Sequence, residues 1–409
     1  MPTTGYSSAN IHTLDPEKDT EPPLTETAAP EPVEANPNQR QKWNTNTPSP
    51  DAPNPESLSS KHATHFYTVS YLIFFSIFGT LARLGLQALT FYTGAPVANV
   101  AGSVVMGFLS EDKNLFREEW GNSTRAPNTE DAEHLKKHKA VKKTIPLYIG
   151  LTTGFCGCFT SFSSFMRDVF LALANALPDP SLPDGYGVAS RNGGYSFMAL
   201  VAVILVTVSL SLSGLLFGAH LALALESITP TVPFAFTRKF LDRFVVVLAW
   251  GCWLGAVFLA IWPPDRDGRE TWRGRAVFAL VFAPLGCLLR LYVSLALNSR
   301  IPAFPLGTFV VNMIGTAVEG LCYDLQHVSG LGAVVPSALV GCQLLQGVMD
   351  GFCGSTTTIS TWVSELNGLG RRRHAYVYGM SSVGIGLGLM VVIMGSLLWT
   401  RGFEGPVCG

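Results

Sequence analysis

The chain has 409 residues, 48% of them hydrophobic and 14% charged, with a formal net charge of -1. A soluble domain carries roughly 25% charged residues, so this composition argues against a soluble protein. The balanced charge gives no footprint for nucleic acid, and charge-free runs alternate with short basic loops as in a multi-pass protein of the lipid bilayer.

Residues 1–62 hold eleven of the 26 prolines and little apolar content, and are expected to be a disordered tail. The tail lacks the apolar core of a secretory signal, so insertion is expected to start with the first span. A membrane helix needs about 20 apolar residues. Phe66–Phe91 qualifies with only Arg83 charged, and Pro96–Leu109 is a shorter second span. A charged loop over 111–143 leads to an interrupted segment near Ile145–Met166 and then to Tyr195–Leu225. This first four-helix repeat occupies 63–228, and a linker over 229–272 contains the span Phe244–Trp262. A second four-helix repeat over 273–402 holds Ala276–Leu297 with Arg290, Phe304–Val318 running on past Glu319, an interrupted Val334–Ser364, and Ala375–Thr400. Residues 403–409 form a short tail. The expected fold is therefore all-α and polytopic, with nine transmembrane helices.

Lysine and arginine set the orientation. The loop with Lys113, Arg117, Arg125, Lys136, Lys137, Lys139, Lys142 and Lys143, the one with Arg238, Lys239 and Arg243, and Arg371 to Arg373 all fall on one side. The opposite side has Arg191 and a discordant loop where Arg266, Arg269, Arg273 and Arg275 mix with Asp265, Asp267 and Glu270. A cytoplasmic N-terminus and an external C-terminus follow, and the Asn122-Ser123-Thr124 sequon is expected to stay unglycosylated. Cys156, Cys158, Cys252, Cys287, Cys322, Cys342 and Cys353 fall in apolar segments and are read as small buried hydrophobes, with no metal or redox role.

The two interrupted segments are copies of one another. GFCGCFTSFSSF from Gly154 to Phe165 recurs 197 positions later as GFCGSTTTISTW from Gly351 to Trp362. The lone arginines of GTLARL (Arg83) and GCLLRL (Arg290) recur likewise, as do the asparagines of VANVAGS (Asn99) and VVNMIGT (Asn312). The linker span has no counterpart and adds one crossing, so the second unit enters the membrane from the opposite face. Broken helices at matching places in such repeats are where transport sites lie.

Gly157 and Gly354 permit backbone that frees carbonyls, and with Thr160 and Thr357 three residues on they can enclose a small cation. Asn99 and Asn312 are costly at membrane depth unless their amides are used. Phe162 and Phe165 share a helical face, flank Ser163 and Ser164, and offer positive ring edges to an anion. The second copy has Ile359, Ser360, Thr361 and Trp362 there. Tyr378, Ser381 and Ser382, or Thr207 with Ser211 and Ser209 with Ser213, suit a polar track, although hydroxyls also bond back to their own helix. Gly214 with Gly218, and Gly384 with Gly388, are read as close-packing faces. Asp350, Glu319 and Glu365 are read as lacking acidic counterparts in the first unit, which argues against proton coupling. No nucleophile with its base, P-loop or metalloprotease helix is present, and no enzyme is expected.

Together these residues resemble the fluoride exporter (fluoride channel) family, in particular its fused two-domain fungal plasma-membrane members, over about Thr64 to Trp399. The resemblance implies a fluoride-selective channel that exports cytoplasmic fluoride passively, driven by membrane potential, and that works as a monomer containing both repeats. It matches Asn99 and Asn312 to pore asparagines, and Phe162 and Phe165 to fluoride-contacting phenylalanines. Gly157, Thr160, Gly354 and Thr357 match the holders of a structural sodium ion, and Tyr378, Ser381 and Ser382 the polar track. Arg83 and Arg290 are vestibule or helix-packing residues. Ile359 and Trp362 depart from the pattern, so one functional and one degenerate pore are expected. The competing readings are a proton-coupled or other secondary transporter on the same fold, and a non-transporting membrane scaffold.

Overall fold

A computed structural model describes residues 55–90, 96–117, 141–177, 192–264, 273–328, 336–406 and 408. The Asn122 sequon, Arg191 and the loop with Arg266 and Arg269 lie outside the described residues, as do residues 1–54 of the expected tail.

The described residues form helices without strands. Helix α1 (Pro55–Leu89) starts inside the expected tail, at a proline, whose fixed φ and missing N–H suit the first helical position. Helix α2 (Pro96–Glu111) follows. Helix α3 runs through Pro146–Ile149, Gly150–Cys156 and Gly157–Phe159 and breaks, and α4 (Phe162–Leu173) resumes after the break. Helix α5 (Gly193–Ala224) is capped by Asn192, which accepts from the Gly194 and Tyr195 amides. Helix α6 (Asp242–Ile261) is the linker helix, and α7 (Phe278–Leu297) and α8 (Leu306–His327) follow. Helix α9 runs through Pro336–Gly347, Val348–Cys353 and Gly354–Thr356 and breaks in turn, before α10 (Ser360–Gly368) and α11 (Arg372–Thr400). The stretches Gly150–Cys156 and Val348–Cys353 are both wide turns with i→i+5 bonds, the kind of local expansion that precedes functional kinks.

Among the described residues six helices are long and apolar enough to cross a membrane: those containing His62–Leu89, Gly193–Ala224, Phe234–Ile261, Phe278–Leu297, Leu306–His327 and Arg372–Thr400. Their outward faces carry large apolar side chains such as Phe217, Val247, Met380 and Val392, which suit a hydrocarbon surround. The chain is an α-helical multi-pass membrane protein.

Helices α2, α5 and α10 pack together, as do α8, α11 and α4, so each group takes its short post-break helix from the other unit. The linker helix α6 rests on α1 and α7 and is fastened by polar contacts. Tyr71 donates to Asp242 at 2.9 Å, Trp250 to Ser70 at 3.2 Å, and Trp253 to the Val281 carbonyl at 3.0 Å. Such bonds are valuable in lipid, where apolar contact alone gives little preference for helix over tail. Gly107 and Gly218 let α2 and α5 meet backbone to backbone, since a Cβ at either would strike the carbonyl of Leu215 or Val104. The expected face of Gly384 and Gly388 is corrected: nothing lies near either, and it is Gly386 that meets Met166 and Phe162.

Cys342 is not a lone buried hydrophobe either; it forms a disulfide with Cys408, 66 residues away. The C-terminal segment lies back on α8, with Phe403 against Tyr323 and His327 at 5.3 and 5.6 Å between ring centroids. Gln326 donates to the Cys342 carbonyl at 2.9 Å. Between α4 and α8, Arg167 meets the fully buried Glu319 at 3.0 Å.

Two outcomes test this packing. Alkylation of the denatured, unreduced protein should modify six cysteines and reduction should raise the number to eight; eight before reduction would remove the disulfide. Arg167→Met should cost about 3–5 kcal/mol by leaving the Glu319 carboxylate unpaired in a dry site, whereas Arg167→Met with Glu319→Leu should recover most of it. Unfolding of the detergent-solubilised protein in denaturant measures both.

Candidate functional site

Both breaks are held open by the asparagines. Asn99 Oδ1 accepts from the Ser161 amide at 2.8 Å and its Nδ2 donates to the Ser161 carbonyl at 3.3 Å. Asn312 does the same for Thr358, at 2.9 and 3.3 Å. In an unbroken helix those two amides would bond the Gly157 and Gly354 carbonyls four residues back. Taking the amides away leaves each glycine carbonyl without that bond, so the Asn and the Gly of each motif are two halves of one device.

The chain on the far side of each break is then capped by the other unit. Thr160 Oγ1 accepts from the Ile359 and Ser360 amides at 3.2 and 3.1 Å, and Thr357 Oγ1 accepts from the Phe162 and Ser163 amides, both at 3.1 Å. A helix leaves its first amides unsatisfied, and in a membrane interior no bulk water replaces them. The exchange therefore satisfies α4 and α10 and ties the two motifs together. Around it lies a buried hydroxyl cluster in which Thr160 meets Thr358 at 3.2 Å and Ser163 meets Thr357 at 3.1 Å. Ser161 caps α4 by accepting from the Ser164 amide at 3.2 Å and also donates to Ser164 Oγ at 3.0 Å. Ser360 donates to the Cys156 carbonyl at 3.2 Å, and Thr361 accepts from Thr358 at 3.3 Å.

Arg83 and Arg290 are packing residues. Each is buried, and each reaches across to the other unit's broken helix: Arg83 donates to the Asp350 carbonyl and Arg290 to the Thr153 carbonyl. Asp350 and Thr153 are equivalent positions, 197 apart. The guanidinium of Arg290 lies flat against Gly157 and that of Arg83 against Gly354, where any side chain would collide with it.

Four carbonyls, from Gly157, Thr160, Gly354 and Thr357, were expected to hold a sodium ion. The displaced amides leave hard neutral oxygens of the right chemical type at both glycines, so the donor set fits a small monovalent cation. Arg290 Nη1 approaches the Thr357 carbonyl at 3.5 Å and competes for that oxygen.

Beyond the breaks, the expected pore residues gather unequally. Phe162 is buried edge-on against Phe165, 5.8 Å between centroids, and against Trp362 at 5.5 Å. Trp362 lies 6.5 Å from Tyr378. Phe162 also meets Gly386 of α11, so the aromatics converge beside the α4, α8 and α11 group that carries Asn312. Ser382 is buried and donates to the Tyr378 carbonyl at 2.7 Å, whereas Ser381 is only half-buried. Ile359 is buried and enters the geometry through its amide alone. In the α2, α5 and α10 group with Asn99, Thr207 and Ser211 are buried with no hydroxyl partner among the described residues, while Ser209 and Ser213 face outward.

Sequence reasoning missed the carboxylates. Glu365 does have an acidic counterpart: 197 positions earlier stands Asp168, just beyond the compared twelve residues. Glu365 is buried, accepting from Tyr378 at 2.7 Å and from Thr308 at 2.7 Å. Extending the comparison three residues would have found the pair. Glu319 with Arg167 carried no such signal, because both are unmatched between the copies.

Comparison with known proteins accounts for this arrangement. A family model described as CrcB-like protein, Camphor Resistance (CrcB), matches residues 70–219 and 277–396, both halves of the duplication. Fluoride export protein 1 of Neurospora crassa is 58% identical over 375 residues, 85% of this chain and 70% of that protein. Fluoride export protein 1 of Candida albicans is 34% identical over 84% of this chain and 83% of its own. The fluoride-specific ion channel FluC of Burkholderia lata is 41% identical over 92 residues, 22% of this chain and 64% of its own. No solved structure matches the chain. With both halves matched and a fungal relative aligned along most of its length, the chain belongs to the CrcB family of fungal fluoride exporters.

Proposed function

We propose that this protein is a fluoride channel that lets cytoplasmic fluoride leave across the plasma membrane without coupling to nucleotide or protons. Fluoride is compact and strongly hydrated, and a path must replace its water with hydrogen-bond donors. The observation that carries the reading is the convergence of the ring edges of Phe162, Phe165 and Trp362 with Tyr378 of α11, Trp362 reaching across from α10 to the helix group that carries Asn312. An inside-negative potential drives a single negative charge outward by about 2.3 kcal/mol per 100 mV.

The reciprocal threonine caps support an inverted duplication of two four-helix units, with nine crossings once α2 and the two broken segments are counted as spans. The disulfide at Cys408 supports an external C-terminus, since such bonds persist in oxidising compartments. Of the two helix groups, the one with Asn312 holds Phe162, Phe165 and Tyr378, with Trp362 reaching it from α10, and in our reading it conducts while the Asn99 group is degenerate. A sodium ion at the Gly157 and Gly354 carbonyls would bind the two breaks together as a structural element, with Thr160 and Thr357 beside it. Both repeats lie in one chain, and a monomer suffices.

Three measurements test this. Purified protein in liposomes should pass fluoride in proportion to an imposed potential and unchanged by a clamped pH gradient; saturable, proton-driven flux would instead establish a coupled transporter, for which the buried Glu365 is the natural candidate. Asn312→Asp keeps the acceptor for the Thr358 amide but sets a negative charge beside the path. Repulsion of about 4 kcal/mol at 4 Å and an effective dielectric of 20 implies roughly a thousandfold loss of flux. Asn99→Asp should cost far less, and equal, complete loss from both would count against a degenerate path. Replacing sodium by a large organic cation should lower the thermal stability and the flux together, with no effect on either if the breaks hold no ion.

A further inference from the structure

The aromatic cluster contains a hydrogen-bond donor with no acceptor among the described residues. Trp362 is 1% exposed, and its indole Nε1–H has no acceptor among the described residues. Burying an N–H without a partner costs free energy comparable to a lost hydrogen bond. Native structures avoid this unless something else supplies the acceptor.

The surroundings narrow what that acceptor is. Trp362 lies between Phe162, edge-on at 5.5 Å, and Tyr378 at 6.5 Å, with Gly379 of α11 near the ring carbon Cζ2. The nearby polar hydrogens are committed: Tyr378 gives its hydroxyl proton to Glu365 at 2.7 Å, and Ser382 gives its own to the Tyr378 carbonyl at 2.7 Å. The equivalent residue of the first unit is Phe165, which offers a ring edge but no N–H. Trp362 is therefore not a worn copy of a phenylalanine. It keeps the aromatic edge and adds a donor that carries no charge.

We propose that the Trp362 indole N–H donates a hydrogen bond to the permeating anion at the aromatic constriction and so sets both rate and preference for small anions. A neutral donor suits a conducting path, since it holds the ion more weakly than a fixed cation. Its strength grows with the charge density of the acceptor, so fluoride gains more than chloride. This rests on the conduction reading above.

The test replaces Trp362 with 3-benzothienylalanine, which preserves the bicyclic shape and puts sulfur in place of the N–H, and in parallel uses Trp362→Phe. Fluoride flux in liposomes should fall about ten- to a hundredfold in both, the usual worth of a hydrogen bond to a charged group, and the ratio of fluoride to chloride flux should fall with it. Wild-type flux and selectivity in the benzothienyl variant would overturn the proposal and leave Trp362 a packing residue with its N–H over a ring face. A second readout does not depend on transport. Among the indole N–H resonances of the eight tryptophans in ¹⁵N-labelled protein, the one lost in Trp362→Phe should move downfield on fluoride titration, and an unmoved resonance would also overturn it. A wild-type protein that fails to pass fluoride defeats the conduction reading instead, and the resonance then still decides whether Trp362 binds the anion.

Discussion

Everything near the centre of this protein depends on the exchange of threonine caps between the two breaks. A helix interrupted at membrane depth exposes amides that bulk water cannot satisfy, and the first two after each break are satisfied by the other unit. Thr160 closes the start of α10 and Thr357 closes the start of α4. Neither half is complete alone, so the duplication is not two domains side by side but one core built twice over. Asn99 and Asn312 belong to the same device, because by holding the Ser161 and Thr358 amides they keep each chain from closing into a continuous helix. The arginines add the outer ties, Arg83 and Arg290 each fixing the first helix of one unit to the broken helix of the other.

This arrangement gives the asparagines a structural duty first. Their carbonyl oxygens are committed to backbone, and one amide hydrogen reaches a carbonyl at 3.3 Å in each case. The amide has a second hydrogen, which is what it has to offer an ion. Any polar path alongside the breaks therefore begins from groups that are first of all structural. The same holds for the hydroxyls of Ser163, Ser360 and Thr361, which are engaged with the other strand of the break or with their own turn. Trp362, by contrast, is a buried donor beside the breaks with no partner among the described residues.

Much of the core was legible in the sequence because it is written twice. Gly157 with Gly354, Thr160 with Thr357 and Asn99 with Asn312 recur in order, and in the structure the members of each pair make equivalent contacts at the two breaks. The readings that failed concern features present once, or spacing that primary structure does not reveal. The disulfide joins Cys342 to Cys408 across 66 residues, and an apolar neighbourhood at Cys342 pointed toward simple burial. Gly384 and Gly388 have the spacing of a packing face, yet α11 turns the intervening Gly386 toward Met166. The pairing of Arg167 with Glu319 needed the contact between α4 and α8, which only the fold supplies. Asp168 and Glu365 were within reach, three residues past the point where the comparison stopped.

The two copies have diverged in a particular way. Groups that act on backbone are kept in both: the glycines, threonines, asparagines and arginines are shared, the threonines and arginines holding the other half and the asparagines their own break. Groups that project outward from that frame differ, with Phe165 against Trp362, Phe162 against Ile359, Asp168 against Glu365, and Met106 against Glu319. A homodimer cannot vary one side without the other, because every substitution appears at both places related by its symmetry axis. Fusion into one chain removes that restriction while the caps continue to enforce the shared geometry. Side chains that project from the frame are then free to differ between the copies, as the ion pair of Arg167 with Glu319 and the Trp362 indole do.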